Sequence, residues 1–132
     1  MSHRKWEPVL RSVSRKSESW PVNVARRYPF SVPVIQTLTT INLKAPVTFL
    51  IGENGSGKST LLEAIGVASE VPFAGSNQSF EDGSLANARL LAGSLRLVWT
   101  RRLRQGMFMR AEDFFGYLKR RARDDARIIR EK

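Results

Sequence analysis

The fold of this chain is decided by the stretch Gly52-Glu53-Asn54-Gly55-Ser56-Gly57-Lys58-Ser59-Thr60. It fits the pattern G-x-x-x-x-G-K-[ST], which is typical of a phosphate-binding P-loop. A short apolar run, Pro-Val-Thr-Phe-Leu-Ile at residues 46–51, comes directly before it, and helix-forming residues 61–65 come directly after it. Strand, glycine loop and helix are the context that the pattern requires. The sequence therefore predicts a P-loop NTPase of the α/β class.

The residue types in the loop explain how it would hold a phosphate. Gly52, Gly55 and Gly57 lack a Cβ atom, so the backbone can take positive φ and approach an anion closely. A helix that starts near Lys58 adds the positive end of its dipole. We expect inward-pointing backbone N–H groups from Asn54, Gly55, Ser56, Gly57, Lys58, Ser59 and Thr60.

Three side chains at the end of the loop have expected roles in binding a nucleotide triphosphate. The Lys58 ammonium should reach the β- and γ-phosphates, the Ser59 hydroxyl should ligate Mg²⁺, and Thr60 should lie near the α-phosphate. The expected cofactors are therefore ATP and Mg²⁺, although no motif in the chain reads the base.

Composition narrows the class of protein. The chain has 132 residues, of which 42% are hydrophobic, and this suits one globular domain. It has no cysteine, which excludes a disulfide framework and a cysteine-based metal site. No apolar run reaches the roughly 18 residues of a membrane helix, and no secretory signal opens the chain. We expect a soluble cytoplasmic protein with no membrane partner.

The net charge of +10 is concentrated towards the two ends of the chain. Residues 1–27 carry seven basic and two acidic side chains, and residues 89–132 carry thirteen and five, whereas residues 28–88 carry two and five. These basic flanks leave a second interpretation open, a non-enzymatic interaction module that binds nucleic acid or a partner chain. A small nucleotide-kinase-like P-loop protein is a third alternative.

The rest of the chain gives weaker patterns. Residues 1–20 are expected to be a flexible basic lead-in, anchored by Trp6 and Trp20. Three prolines argue against a helix in residues 22–35, and partial alternation predicts a half-buried strand over residues 38–43. Residues 46–51 are predicted to be a buried parallel strand, and residues 58–69 a helix. Residues 85–103 fit helix and strand equally well, and a helix is favoured up to about residue 92. A short strand at 107–109 and an amphipathic helix from residue 112 complete the prediction.

Further catalytic groups are not evident. Hydrolysis also needs a carboxylate at the end of a second apolar strand to hold Mg²⁺ and a group that orients the attacking water. The acidic pairs at residues 81–82, 112–113 and 124–125 do not follow an uninterrupted apolar strand.

The sequence from Gly52 to Ile65 resembles the P-loop of ABC-type ATPases, most closely the branch with chromosome-maintenance (SMC), recombination and DNA-repair ATPases. Residues 26–66 and 104–118 together resemble a bacterial family of small predicted AAA/ABC-like ATPases. The resemblance implies an ABC-like head with a mixed sheet. Because the family's signature, Walker B strand and switch histidine come later, residues 21–132 are expected to be a truncated N-terminal part of such a head. Hydrolysis is then expected only in a longer parent protein, and the implied partners are a second copy or the remainder of that parent.

The resemblance also implies roles outside the loop. The glutamine of the family's Q-loop falls on Arg110 or Glu112 here, which makes Glu112 the candidate catalytic residue. An aromatic residue upstream of the P-loop often stacks on adenine in such heads. Tyr28 and Phe30 are the candidates for this role, and packing in the core is the alternative for both.

Overall fold

The computed structural model describes residues 6–74, 83–102 and 105–130. Its elements in chain order are β1 (Leu10–Arg15), α1 (Pro33–Gln36), β2 (Thr40–Asn42), α2 (Lys58–Ala68), a 3-10 turn (Gly83–Leu85), α3 (Ala86–Ala92), β3 (Leu95–Trp99) and α4 (Ala111–Arg130). Helices and a sheet together confirm the α/β class. Within the described ranges, no helix is both long enough and apolar enough to cross a membrane.

The sheet has three strands in the order β2-β1-β3, and both ladders are antiparallel. Val13 in the middle strand pairs with Ile41 on one side and Leu97 on the other. The expectation of a mixed sheet is therefore wrong for the described strands. Among the described residues, the one parallel contact is an isolated bridge between Phe73 and Phe108, which lies outside the three strands.

Residues 6–20 correct the expectation of a flexible lead-in. β1 is the central strand of the sheet, and its Val13 side chain is fully buried. Trp20 is also buried, and its indole N–H donates to the carbonyl oxygen of Ile35 at 3.0 Å. The expected anchoring is confirmed for Trp20, whereas half of the Trp6 side chain is exposed. The remainder of the predicted lead-in, residues 1–5, lies outside the described residues.

Residues 46–51 do not form the predicted strand. The side chains of Val47, Phe49 and Ile51 are 66%, 80% and 93% exposed. A parallel strand covered on both faces needs hydrogen-bonded neighbours, and none of the three described strands pairs with this run. The run is instead an irregular connection from β2 to the glycine loop, with apolar side chains at the surface.

The main core lies between the inner face of the sheet and helices α2 and α3. Val13 and Leu95 from the sheet pack with Leu61 and Ala64 from α2 and with Leu91 from α3. A smaller cluster of Phe73, Leu85 and Ala88 lies against Phe108. The predicted helices at 58–69 and up to residue 92 are confirmed by α2 and α3. This core holds the first residue of α2, Lys58, at the end of the glycine loop.

Candidate nucleotide-phosphate site

The glycine loop turns into α2 through two residues with left-handed backbone. Gly55 has φ 80° and Gly57, directly before the helix, has φ 101°, a region that glycine adopts without steric cost. A Cβ atom at Gly57 would lie 2.5 Å from Cγ2 of Val32, whereas one at Gly55 would meet nothing within 4 Å. Gly57 is therefore packed against the protein, and Gly55 faces open space where a ligand can approach the backbone.

The ammonium group of Lys58 lies inside the loop. Its Nζ donates to the carbonyl oxygens of Gly52 and Glu53, the latter at 2.6 Å, and to the Ser56 hydroxyl at 3.3 Å. An ammonium has three donors, so these acceptors can engage all of them. A phosphate oxygen at this position would take over one or more of these hydrogen bonds. The motif thus spaces its residues so that the lysine is held where the anion is expected.

A pocket of about 200 Å³ joins the loop to the segment that precedes α1. It is lined by Tyr28, Val32, Asn54, Gly55, Gly57, Lys58, Ser59 and Thr60. The hydroxyls of Tyr28 and Thr60 are 2.8 Å apart, and half of the Tyr28 side chain is exposed. Binding pockets for whole small molecules have volumes of roughly 300–1,000 Å³, so this pocket suits the phosphates rather than a complete nucleotide.

Of the two candidates for stacking on a base, only one lies at the loop. Phe30 is 1% exposed and packs on Trp20 with ring centroids 5.1 Å apart. It is a core residue, as the alternative interpretation held. Tyr28 borders the phosphate pocket, and its ring keeps an exposed surface.

The residues of the pocket fit a magnesium ion that arrives with a nucleotide. Ser59 is exposed and lines the pocket, so its hydroxyl can serve as a ligand. Mg²⁺ keeps several waters and usually takes one or two protein ligands together with substrate phosphates. In the described part of the chain, no group of three or more His, Asp or Glu side chains could hold a metal ion by itself.

Of the two candidates for the glutamine position, the structure describes the side chain of Arg110 but not that of Glu112. Arg110 is 8% exposed, and its Nε donates to Oδ2 of Asp113 at 2.6 Å, so it is a packed structural residue. Glu112 lies in the first turn of α4, and its side chain is outside the part that the structure describes. Its catalytic role stays a prediction.

Sequence reasoning missed the support that α1 gives to the loop. The backbone N–H of Val34 donates to the carbonyl oxygen of Ser56 at 3.1 Å, and Val32 packs against Gly57. The signal was Pro33, because proline is favoured at the first position of a helix. The expectation that three prolines exclude a helix from residues 22–35 is wrong, because Pro33 is the first residue of α1.

Comparison with known families supports the coarse identity of this site. A family model described as an AAA domain matches residues 31–87, a range that begins just before α1 and contains the whole glycine loop. The match supports an AAA-type P-loop ATPase family and nucleotide binding at a coarse level. Searches among curated proteins and among solved structures gave no match.

Proposed function

We propose that residues 52–60 bind the triphosphate of ATP together with Mg²⁺. The observation that carries this proposal is the position of Lys58. Its ammonium is surrounded by Gly52, Glu53 and Ser56 at the start of α2, where the helix dipole also favours an anion.

Three side chains of the pocket then have one task each. Lys58 binds the β- and γ-phosphates, and the Ser59 hydroxyl contacts the metal ion. Thr60, held by the Tyr28 hydroxyl at 2.8 Å, lies on the side of the α-phosphate. When bound, Mg²⁺ neutralises the negative charge that the β- and γ-phosphates share.

Among P-loop ATPases, we place the chain with the ABC-type branch that includes chromosome-maintenance and recombination ATPases. The support is the resemblance of residues 52–65 to that branch. We assign binding rather than hydrolysis to these residues. Hydrolysis requires a second magnesium carboxylate and a group that orients water, and the described lining of the pocket contains no carboxylate.

Isothermal titration with Mg-ATP tests this assignment through Lys58→Ala. Loss of charge-assisted hydrogen bonds to the phosphates should weaken binding by about 10- to 100-fold. The matched control is Lys119→Ala, which removes the same charge from an exposed position on α4 and should bind as the parent does. Ser59→Ala should lose the gain in affinity that Mg²⁺ gives. Equal affinity of Lys58→Ala and the parent would refute the proposal.

A further inference from the structure

A second cleft, of about 590 Å³, lies on the outer face of the sheet. Its floor is formed by Asn42, Ser12 and Val98, which pair directly across β2, β1 and β3. Directly paired residues share a face of the sheet, and the next residue of β1, Val13, is buried on the opposite face. The floor therefore faces away from the core, and no residue of the phosphate pocket lines it.

Arg11 reaches this cleft through an irregularity in the β1–β3 ladder. Leu10 pairs with Trp99 and Ser12 pairs with Val98, so Arg11 is an extra residue in β1. Consecutive residues of a regular strand point to opposite faces, yet Arg11 and Ser12 both line the cleft. A β-bulge redirects a side chain in this way, and such bulges are over-represented next to functional sites.

The rim of the cleft carries two cations, one carboxylate and an indole. Arg11 and Lys44 lie at the same end of the β1–β2 ladder, since the N–H of Leu43 donates to the Arg11 carbonyl at 2.8 Å. Neither cation, nor the carboxylate of Glu7, forms an ion pair with another described residue. The three side chains give the cleft a net charge of +1, and Trp6 adds a ring that is 48% exposed.

We propose that this cleft binds a phosphate joined to a planar base, the unit that a free nucleotide and a single nucleic-acid strand share. Arg11 and Lys44 bind the phosphate, and the Trp6 ring stacks on the base. The volume lies within the range of small-molecule sites. Because the sheet separates the cleft from the core and α2, binding here does not require Lys58.

The test measures binding of a labelled short oligothymidylate by fluorescence anisotropy and of thymidine monophosphate by calorimetry. In Arg11→Gln/Lys44→Gln, affinity should fall by about 10- to 100-fold. For the oligonucleotide, the slope of log K against log salt should shrink by about 1.4, since each phosphate contact on a single strand contributes about 0.7. If the affinity falls for both ligands, the cleft is a mononucleotide site, and if it falls for the oligonucleotide alone, the cleft is a site for a nucleic-acid strand. Either result supports the proposal.

Two further variants distinguish binding from a general loss of charge or fold. Arg26→Gln/Lys119→Gln removes equal charge from exposed positions outside the cleft and should leave affinity near that of the parent. Glu7→Gln removes the one carboxylate of the rim and should tighten binding. Trp6→Leu should weaken it at least about fivefold.

Four outcomes would overturn the proposal. The control pair could weaken binding as much as the cleft pair, or Glu7→Gln could leave affinity unchanged. Lys58→Ala could abolish the same binding, which would place the ligand at the glycine loop. Polyglutamate that binds as tightly as the oligonucleotide, with the same loss in the cleft pair, would show a site for acidic peptides instead.

Discussion

Gly55 and Gly57 have left-handed backbone for different reasons. Both lie in a region of φ that L side chains rarely adopt, but only Gly57 is also enclosed, with Val32 beside it. The first glycine keeps the face of the loop open to a ligand. The second lets α1 and α2 approach each other, so the motif serves the fold and the site together.

This difference predicts unequal costs for two alanine substitutions. Gly55→Ala should lower the free energy of unfolding by about 1–2 kcal/mol, the cost of a left-handed L residue. Gly57→Ala should cost roughly 2–5 kcal/mol, because overpacking against Val32 adds about 1–3 kcal/mol. Urea unfolding followed by circular dichroism measures both. Equal losses for the two variants would contradict the packing of Gly57 against Val32.

At the scale of residues, the sequence predicted relations between neighbours in the chain and missed contacts between residues that are far apart in the chain. The loop and its lysine are consecutive residues, so their spacing alone indicates their relation. The contact between Tyr28 and Thr60 joins residues far apart in the chain and depends on how residues 28–32 pack beside α2. The family resemblance implied Tyr28 and Phe30 as candidates for stacking on the base. Only tertiary packing shows that the ring of Tyr28 is exposed and that of Phe30 is buried.

Among the elements, α4 is attached to the body through its first turn. Arg110, directly before the helix, is buried and pairs with Asp113 at 2.6 Å. Its guanidinium also lies 6.0 Å from the ring centroid of Phe73. These contacts join the start of α4 to the small cluster of Phe73, Leu85 and Ala88.

Arg110→Ala should therefore destabilise the protein far more than an exposed arginine of the same helix. Removing one partner of a buried ion pair costs about 3–5 kcal/mol, whereas surface substitutions usually stay within about 0.5 kcal/mol. Arg123→Ala is the matched control, because Arg123 is exposed on α4. Thermal and urea unfolding should separate the two variants clearly, and similar stabilities would show that α4 is not attached through Arg110.

Apart from α1, the helices were predictable from the sequence because the apolar pattern of a helix is contained within the helix itself. The apolar spacing in α2, in α3 and in the amphipathic α4 is visible without knowledge of any other element. Strands depend on partners. β1 shows only one fully buried residue, Val13, among serines and arginines, while residues 46–51 have the right composition but no described strand beside them.

Across the whole molecule, the core elements and the second half of α4 differ in how far they are buried. Sheet, α2 and α3 share one core, whereas all ten residues from 121 to 130 are exposed. A helical segment of these ten residues without tertiary contacts is marginally stable in water, because most helical stability in proteins comes from tertiary packing.

Hydrogen exchange should show this difference directly. Backbone amides at residues 121–130 should exchange at least about a hundredfold faster than those of Leu61 and Ala64 in α2, since unsupported helical turns open locally while core amides need global unfolding. Mass spectrometry of exchanged peptides measures both regions at once. Similar protection in α4 and α2 would mean that another surface covers α4.

The position of β1 in the sheet also fixes when the fold can be completed during translation. The middle strand is synthesised first, and Trp99, the partner of Leu10, leaves the ribosome 89 residues later. At roughly 5–20 residues per second, one edge of β1 waits for several seconds with its backbone groups unpaired. The glycine loop is synthesised well before β3. A nascent chain therefore contains the whole glycine loop before β3 can pair with β1 and complete the sheet.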